Sequence, residues 1–109
     1  MPEAPPAPGG VAQLDENERR GEFYVHKTLW AVSPDAPGEL VVRGASLRTG
    51  APLSFLIDDE RVDRLTLPHQ DDRWAYGPTA TLLPGPGCYV FRVSGLGVND
   101  EIVFRAALA

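Results

Sequence analysis

The sequence is short of the residues that usually carry chemistry. It has one cysteine, Cys88, one methionine, Met1, and two histidines, His26 and His69. A single cysteine excludes an intramolecular disulfide, so the chain encodes no secreted disulfide framework. Lysine is equally scarce: of ten basic residues only Lys27 is a lysine, against fifteen acidic residues and a formal net charge of −5. Phosphate backbones are gripped by clustered Lys and Arg, and this composition argues against DNA or RNA as a partner. No apolar run approaches the ~18–20 residues that cross a bilayer as a helix. The opening MPEAPPAPGG has no apolar h-region, so no secretion signal is read there. A mature domain of an exported protein would look the same, and a cytoplasmic protein also fits.

What the chain does have is turns. It holds 11 Gly and 11 Pro in 109 residues, which leaves little room for long helices. The length is that of one domain, large enough to bury a core without staples. Residues 1–20 read as a flexible tail, Pro/Ala/Gly-rich and then charged, suited to tethering the domain at 21–109. From Gly21 onward apolar and polar residues alternate with period two. Seven strands are expected at 22–32, 38–44, 52–58, 61–67, 73–82, 88–94 and 101–107. The gaps SPDAPG, RTGA, DDE, PHQDD, PGPG and GLGVND carry turn chemistry. Pro78 interrupts the fifth run and predicts a break or an edge position.

Seven short strands predict an all-β, antiparallel sandwich. The inward set is Leu29 or Trp30, Leu40, Val42, Leu53, Phe55, Ile57, Trp74 or Tyr76, Tyr89, Phe91, Val93, Ile102 and Phe104. On 88–94 the other parity contains Arg92, which is costly to bury. Tyr89, Phe91 and Val93 therefore face the core and Cys88 starts the strand as a small, half-buried packing residue.

The stretch LPGPGCYVFRVSG (83–95) resembles the segment of immunoglobulin-like domains in which a tyrosine opens the penultimate strand and bonds nearby backbone. Tyr89 matches that tyrosine. The longer pattern over about residues 24–107, with its PGCY element, is similar to uncharacterised small immunoglobulin-like β-sandwich domains of bacterial lipoproteins and exported proteins. The resemblance implies the fold and an extracellular or cell-envelope setting, and no activity. The second cysteine of antibody domains is missing.

No catalytic constellation is legible. Nothing in the sequence places a base beside Cys88. A blue-copper set lacks its axial methionine and any histidine after the cysteine. The acidic clusters Asp58-Asp59-Glu60, Asp71-Asp72 and Asn99-Asp100-Glu101 sit in expected turns without the spaced calcium-loop pattern. The aromatic residues Tyr24, Trp30, Trp74 and Tyr76 are the candidate partner-binding group, with Trp30 and one of Trp74 or Tyr76 expected in the core. Tyr89, Cys88, Phe91 and Phe104 are the structural residues. The expected function is a non-enzymatic structural or binding module for a protein or carbohydrate partner, with no cofactor. The alternative is a sandwich that binds calcium, copper or zinc. Pairing of edge strands would provide a route to a homodimer.

Overall fold

Alternation becomes strand throughout the domain. The computed structural model describes residues 11–108, and among these it contains ten strands and no α-helix. The strands are β1 (Val11–Leu14), β2 (Arg19–Arg20), β3 (Phe23–Val32), β4 (Leu40–Ser46) and β5 (Ser54–Ile57). They continue with β6 (Glu60–Val62), β7 (Leu65–Leu67), β8 (Ala75–Leu83), β9 (Gly87–Gly95) and β10 (Val98–Leu108). The first sheet has the order β1-β10-β9-β4-β7 and the second β2-β3-β8-β5-β6. All pairings are antiparallel except β1 with β10, which is parallel.

Three additions account for ten strands where seven were expected. The run 61–67 divides at Asp63-Arg64: β6 pairs with β5 in the second sheet, and β7 pairs with β4 in the first. The chain crosses between sheets there. The other two additions correct the expected tail. Val11–Leu14 lies beside β10 and buries Ala12 and Leu14, and Arg19–Arg20 starts the hairpin into β3. A short 3-10 turn, Glu16–Glu18, joins them, with the Asp15 carboxylate accepting from Asn17 N at 2.9 Å. Only residues 1–10 of that tail lie outside the described residues.

The sheets meet through aromatic rings. Phe91 of the first sheet lies 5.4 Å from Trp30 and 6.2 Å from Phe55 of the second, and 4.7 Å from its neighbour Phe104. Tyr89 stacks on Phe104 at 5.7 Å. Val42, Leu53, Leu65 and Leu83 fill the space around them. The β4 residue opposite Phe91 is Gly44, where an added Cβ would come within 2.9 Å of Leu53 Cδ1. That position must stay small for Leu53 and Phe91 to pack.

Several expected core positions are corrected. Trp74 and Tyr76 are both exposed, at 45% and 61%, and Ile57 is exposed at a strand end. Register explains it. Trp30 pairs with Gly77 and Val32 with Ala75, so the inward slots of β8 are small where the Trp30 indole needs volume. Tyr76 and Trp74 have the opposite parity. Cys88 is exposed rather than half-buried, because it shares the outer face of the first sheet with its cross-strand partner Arg105. Pro78 stays within β8. It pairs with Leu29, while β5 reaches β8 only at residues 80–82, so one side of β8 is a local edge there.

Two polar features sit in the core. The Tyr89 hydroxyl donates to Gly85 O at 2.6 Å and ties the Pro-Gly turn to β9; burial raises the phenol pKa. On β3 and β8, His26, Thr28, Thr79 and Thr81 form a polar strip facing inward. Trp30 Nε1 donates to Thr79 Oγ1 at 3.0 Å, and Thr79 donates to Thr28 O at 3.3 Å. Among the described residues the hydroxyls of Thr28 and Thr81 have no partner. His26 lies 6.4 Å from the Phe104 ring, and burial lowers its pKa below 6.5.

Tyr89→Phe is expected to lose about 1 kcal/mol, the net worth of one hydrogen bond. That is a drop in Tm of about 4–8 °C for a domain of this size, read by calorimetry; an unchanged Tm would show that the turn does not depend on the bond. Burial holds the His26 pKa below its unfolded value, so the unfolded chain gains the proton first. Its contribution is full above pH 6.5, the unfolded value, and is lost as the pH falls toward the lower folded pKa. In urea titrations the wild type should lose more stability below pH 6.5 than His26→Gln, and parallel curves would contradict this.

Candidate functional site

The outer face of the second sheet is the surface that its strands leave uncovered. Cross-strand register puts Val25 beside Leu82, Lys27 beside Ala80, Leu29 beside Pro78 and Ala31 beside Tyr76. Leu56 of β5 lies next to Ala80 on the same face. Trp74, two residues before Tyr76, continues the row by alternation. A solvated sheet face is normally polar. This one is apolar along β3 and β8 except for Lys27, and it exposes Leu29 at 56%. A contiguous apolar surface of this kind is a candidate interaction site.

A groove of about 810 Å³ runs over this face. Its floor is Val25, Leu29, Leu56, Pro78 and Ala80, and its rim carries Arg19, Arg20, Asp58 and Asp59. Arg20 and Asp59 come from strands separated by β3 and β8, yet their side chains meet at 3.1 Å. A flat sheet would hold β2 and β5 about 14 Å apart, so the sheet and the 58–59 turn curl across the outer face. The turn itself is built from left-handed residues, with φ of 50° at Asp58 and 66° at Asp59. Two positive φ values in a two-residue hairpin loop define the turn that matches strand twist. The acidic pair read from the sequence is thus engaged in turn geometry and in holding Arg20.

The expected site residues divide. Tyr76 lies on this face, and Trp74, just before β8, is exposed at its end. Tyr24 and Trp30 do not lie there: both are buried between the sheets. Tyr24 donates its hydroxyl to Glu16 at 2.9 Å, and that bond raises its pKa. Leu29, Pro78 and Leu56 belong to the face and were missed. Their signal was available, since Leu29 competes with Trp30 for the inward parity and a proline inside a strand implies an exposed position.

The residues weighed for metal or catalysis do not converge. His26 faces inward and is half-buried against Phe104. His69 lies half-buried between two loops, 3.4 Å from Pro34 O and 3.6 Å from the Asp71 carboxylate. Cys88 stands on the other sheet's outer face, and no hydrogen bond joins it to either histidine. Among the described residues no three His, Cys, Asp or Glu side chains are grouped to hold an ion, and no helix is long and apolar enough to cross a membrane. Comparison with protein-family models, curated proteins and solved structures finds no match to this chain in any of the three.

Proposed function

We propose that this chain is a non-enzymatic β-sandwich binding module that docks a protein partner on the outer face of its second sheet. The observation that carries the reading is the exposed row Trp74, Tyr76 and Pro78, with Leu29 and Ala31 beside it in register. Aromatic anchors among aliphatic neighbours make the centre of protein interfaces. A sugar platform needs more polar groups between its rings than this face offers.

The finer architecture is immunoglobulin-like. Strands β4, β9 and β10 stand in the order of the C, F and G strands, and β3, β8 and β5 in that of B, E and D. The Tyr89–Gly85 bond supports the same reading, as the tyrosine that fixes the turn before the penultimate strand. An exported or envelope-displayed setting follows from the sequence resemblance, with residues 1–10 as the tether. No observation favours the metal-binding alternative.

Edge pairing is a weaker route to association. The four edge strands, β1, β7, β2 and β6, have only two to four residues. The longer unpaired sides carry Lys27 on β3, Pro78 on β8, and Asp100 and Glu101 on β10, residues that discourage strand addition. Docking on the face avoids both obstacles.

The test is a selection of displayed random peptides on the wild-type protein, followed by affinity measurement on Trp74→Ser/Tyr76→Ser. Exposed substitutions of this kind leave stability within about 0.5 kcal/mol. Selected peptides should compete with one another and lose at least about tenfold in affinity on the double variant. Peptides that bind both proteins equally would place recognition elsewhere. Binding on a glycan array that the double variant abolishes would change the partner class to carbohydrate.

A further inference from the structure

We propose that a second groove, where the 47–53 loop meets the 84–87 turn, binds a carboxylate carried on an apolar body. The groove holds about 530 Å³, within the ~300–1,000 Å³ of small-molecule sites. Phe23, Leu53, Leu82 and Tyr89 line its apolar part, and Leu53 and Leu82 are each only 4% exposed. Its charges are Arg48 and Arg61. Among the described residues no Asp or Glu lines it, in a chain whose formal charge is −5.

Both arginines are available. Among the described residues neither forms an ion pair, as is also true of Arg43 and Arg105 outside the groove, whereas Arg19, Arg20, Arg64, Arg73 and Arg92 all do. The Arg61 guanidinium lies 4.9 Å from the centre of the Phe23 ring, which sets a cation against the apolar wall. A guanidinium presents a fork of donors that matches a carboxylate, and beside an apolar wall that pairing is less screened than in water. The contrast with the first groove is direct. There, acids and bases alternate and Arg20 is already paired with Asp59.

Both walls are also fixed before any ligand arrives. In the loop, Ser46 N donates to Ala51 O at 2.9 Å and Gly50 N to Ser46 O at 2.8 Å. Thr49 N donates to Ser46 Oγ, and Ala51 N to Thr49 Oγ1. The opposite wall is held by the Tyr89–Gly85 bond. Binding to a preformed groove avoids the ordering cost of a mobile one.

Cys88 borders this groove and its thiol is exposed beside it, so the single thiol reports a ligand that covers the groove's mouth. The experiment follows its reaction with N-ethylmaleimide, a neutral reagent. The probes are octanoate below its micellar concentration, octanol, and the peptide acetyl-Val-Leu-Phe as free acid and as amide. An acid at about twice its Kd should slow the reaction about threefold and saturably. The neutral counterparts should protect far less. Arg48→Gln/Arg61→Gln should lose the protection. Arg64→Gln/Arg73→Gln, which removes the same charge from exposed pairs, should keep it. Protection by octanoate assigns the site to a free organic acid; protection by the peptide acid alone assigns it to a chain terminus. The proposal is overturned if neither acid protects, if octanol or the amide protects equally, or if the Arg48/Arg61 variant still responds fully.

Discussion

The fold turns on one ring. Phe91 touches Trp30 and Phe55 across the sandwich and Phe104 beside it, so a single side chain on the central strand of the first sheet meets both strands that flank β8 in the second. Aromatic contacts of this type contribute about 0.5–1.5 kcal/mol each beyond the area they bury. Their larger effect is on register. A strand that slips by one residue turns every side chain over. With Phe91 inward, Arg92 and Cys88 must face out; with Trp30 and Val32 inward, Gly77 and Ala75 must sit opposite them, and Tyr76 and Trp74 are sent to the surface. The apolar outer face is the consequence of how the core is filled.

How much of this was legible in the sequence depends on how strongly a strand states its parity. Strand β9 states it plainly, because Arg92 cannot be buried cheaply while Tyr89, Phe91 and Val93 can. Strand β8 does not. Trp74 and Tyr76 share a parity and are the largest residues in their run, so bulk alone assigns them inward. The opposing evidence, Ala75, Gly77 and Thr79 on the other parity, has meaning only once Trp30 is known to need the space. Strands β1 and β2 were illegible for another reason. They are too short to show a period, and β1 is specified by a parallel partner at the far end of the chain. The acidic turn at 58–59 was seen, but its left-handed backbone comes from the two-residue loop between β5 and β6, and its bond to Arg20 from the curl of the sheet.

Of the candidate site, the aromatic half was visible and its division was not. Two of four aromatics are core and two are surface, and only pairing register separates them. Arg48 and Arg61 lie thirteen positions apart in the sequence and share a groove because the 47–53 loop folds back toward β5 and β6. The edges and the faces of this sandwich carry opposite instructions. Short strands, Lys27 and Pro78 discourage pairing at the edges, while the outer face of the second sheet presents apolar residues that the core does not need.

The most direct test compares the environments of the two tryptophans. Trp30 is buried at the sheet interface and Trp74 stands on the outer face. Emission from Trp74→Phe, which retains Trp30, should be blue-shifted and resistant to acrylamide. The difference between wild type and that variant, which isolates Trp74, should be red-shifted and readily quenched. A Trp30 that acrylamide quenches freely, or a Trp74 shielded in the dilute monomer, would contradict the register on which both the core and the proposed binding face rest.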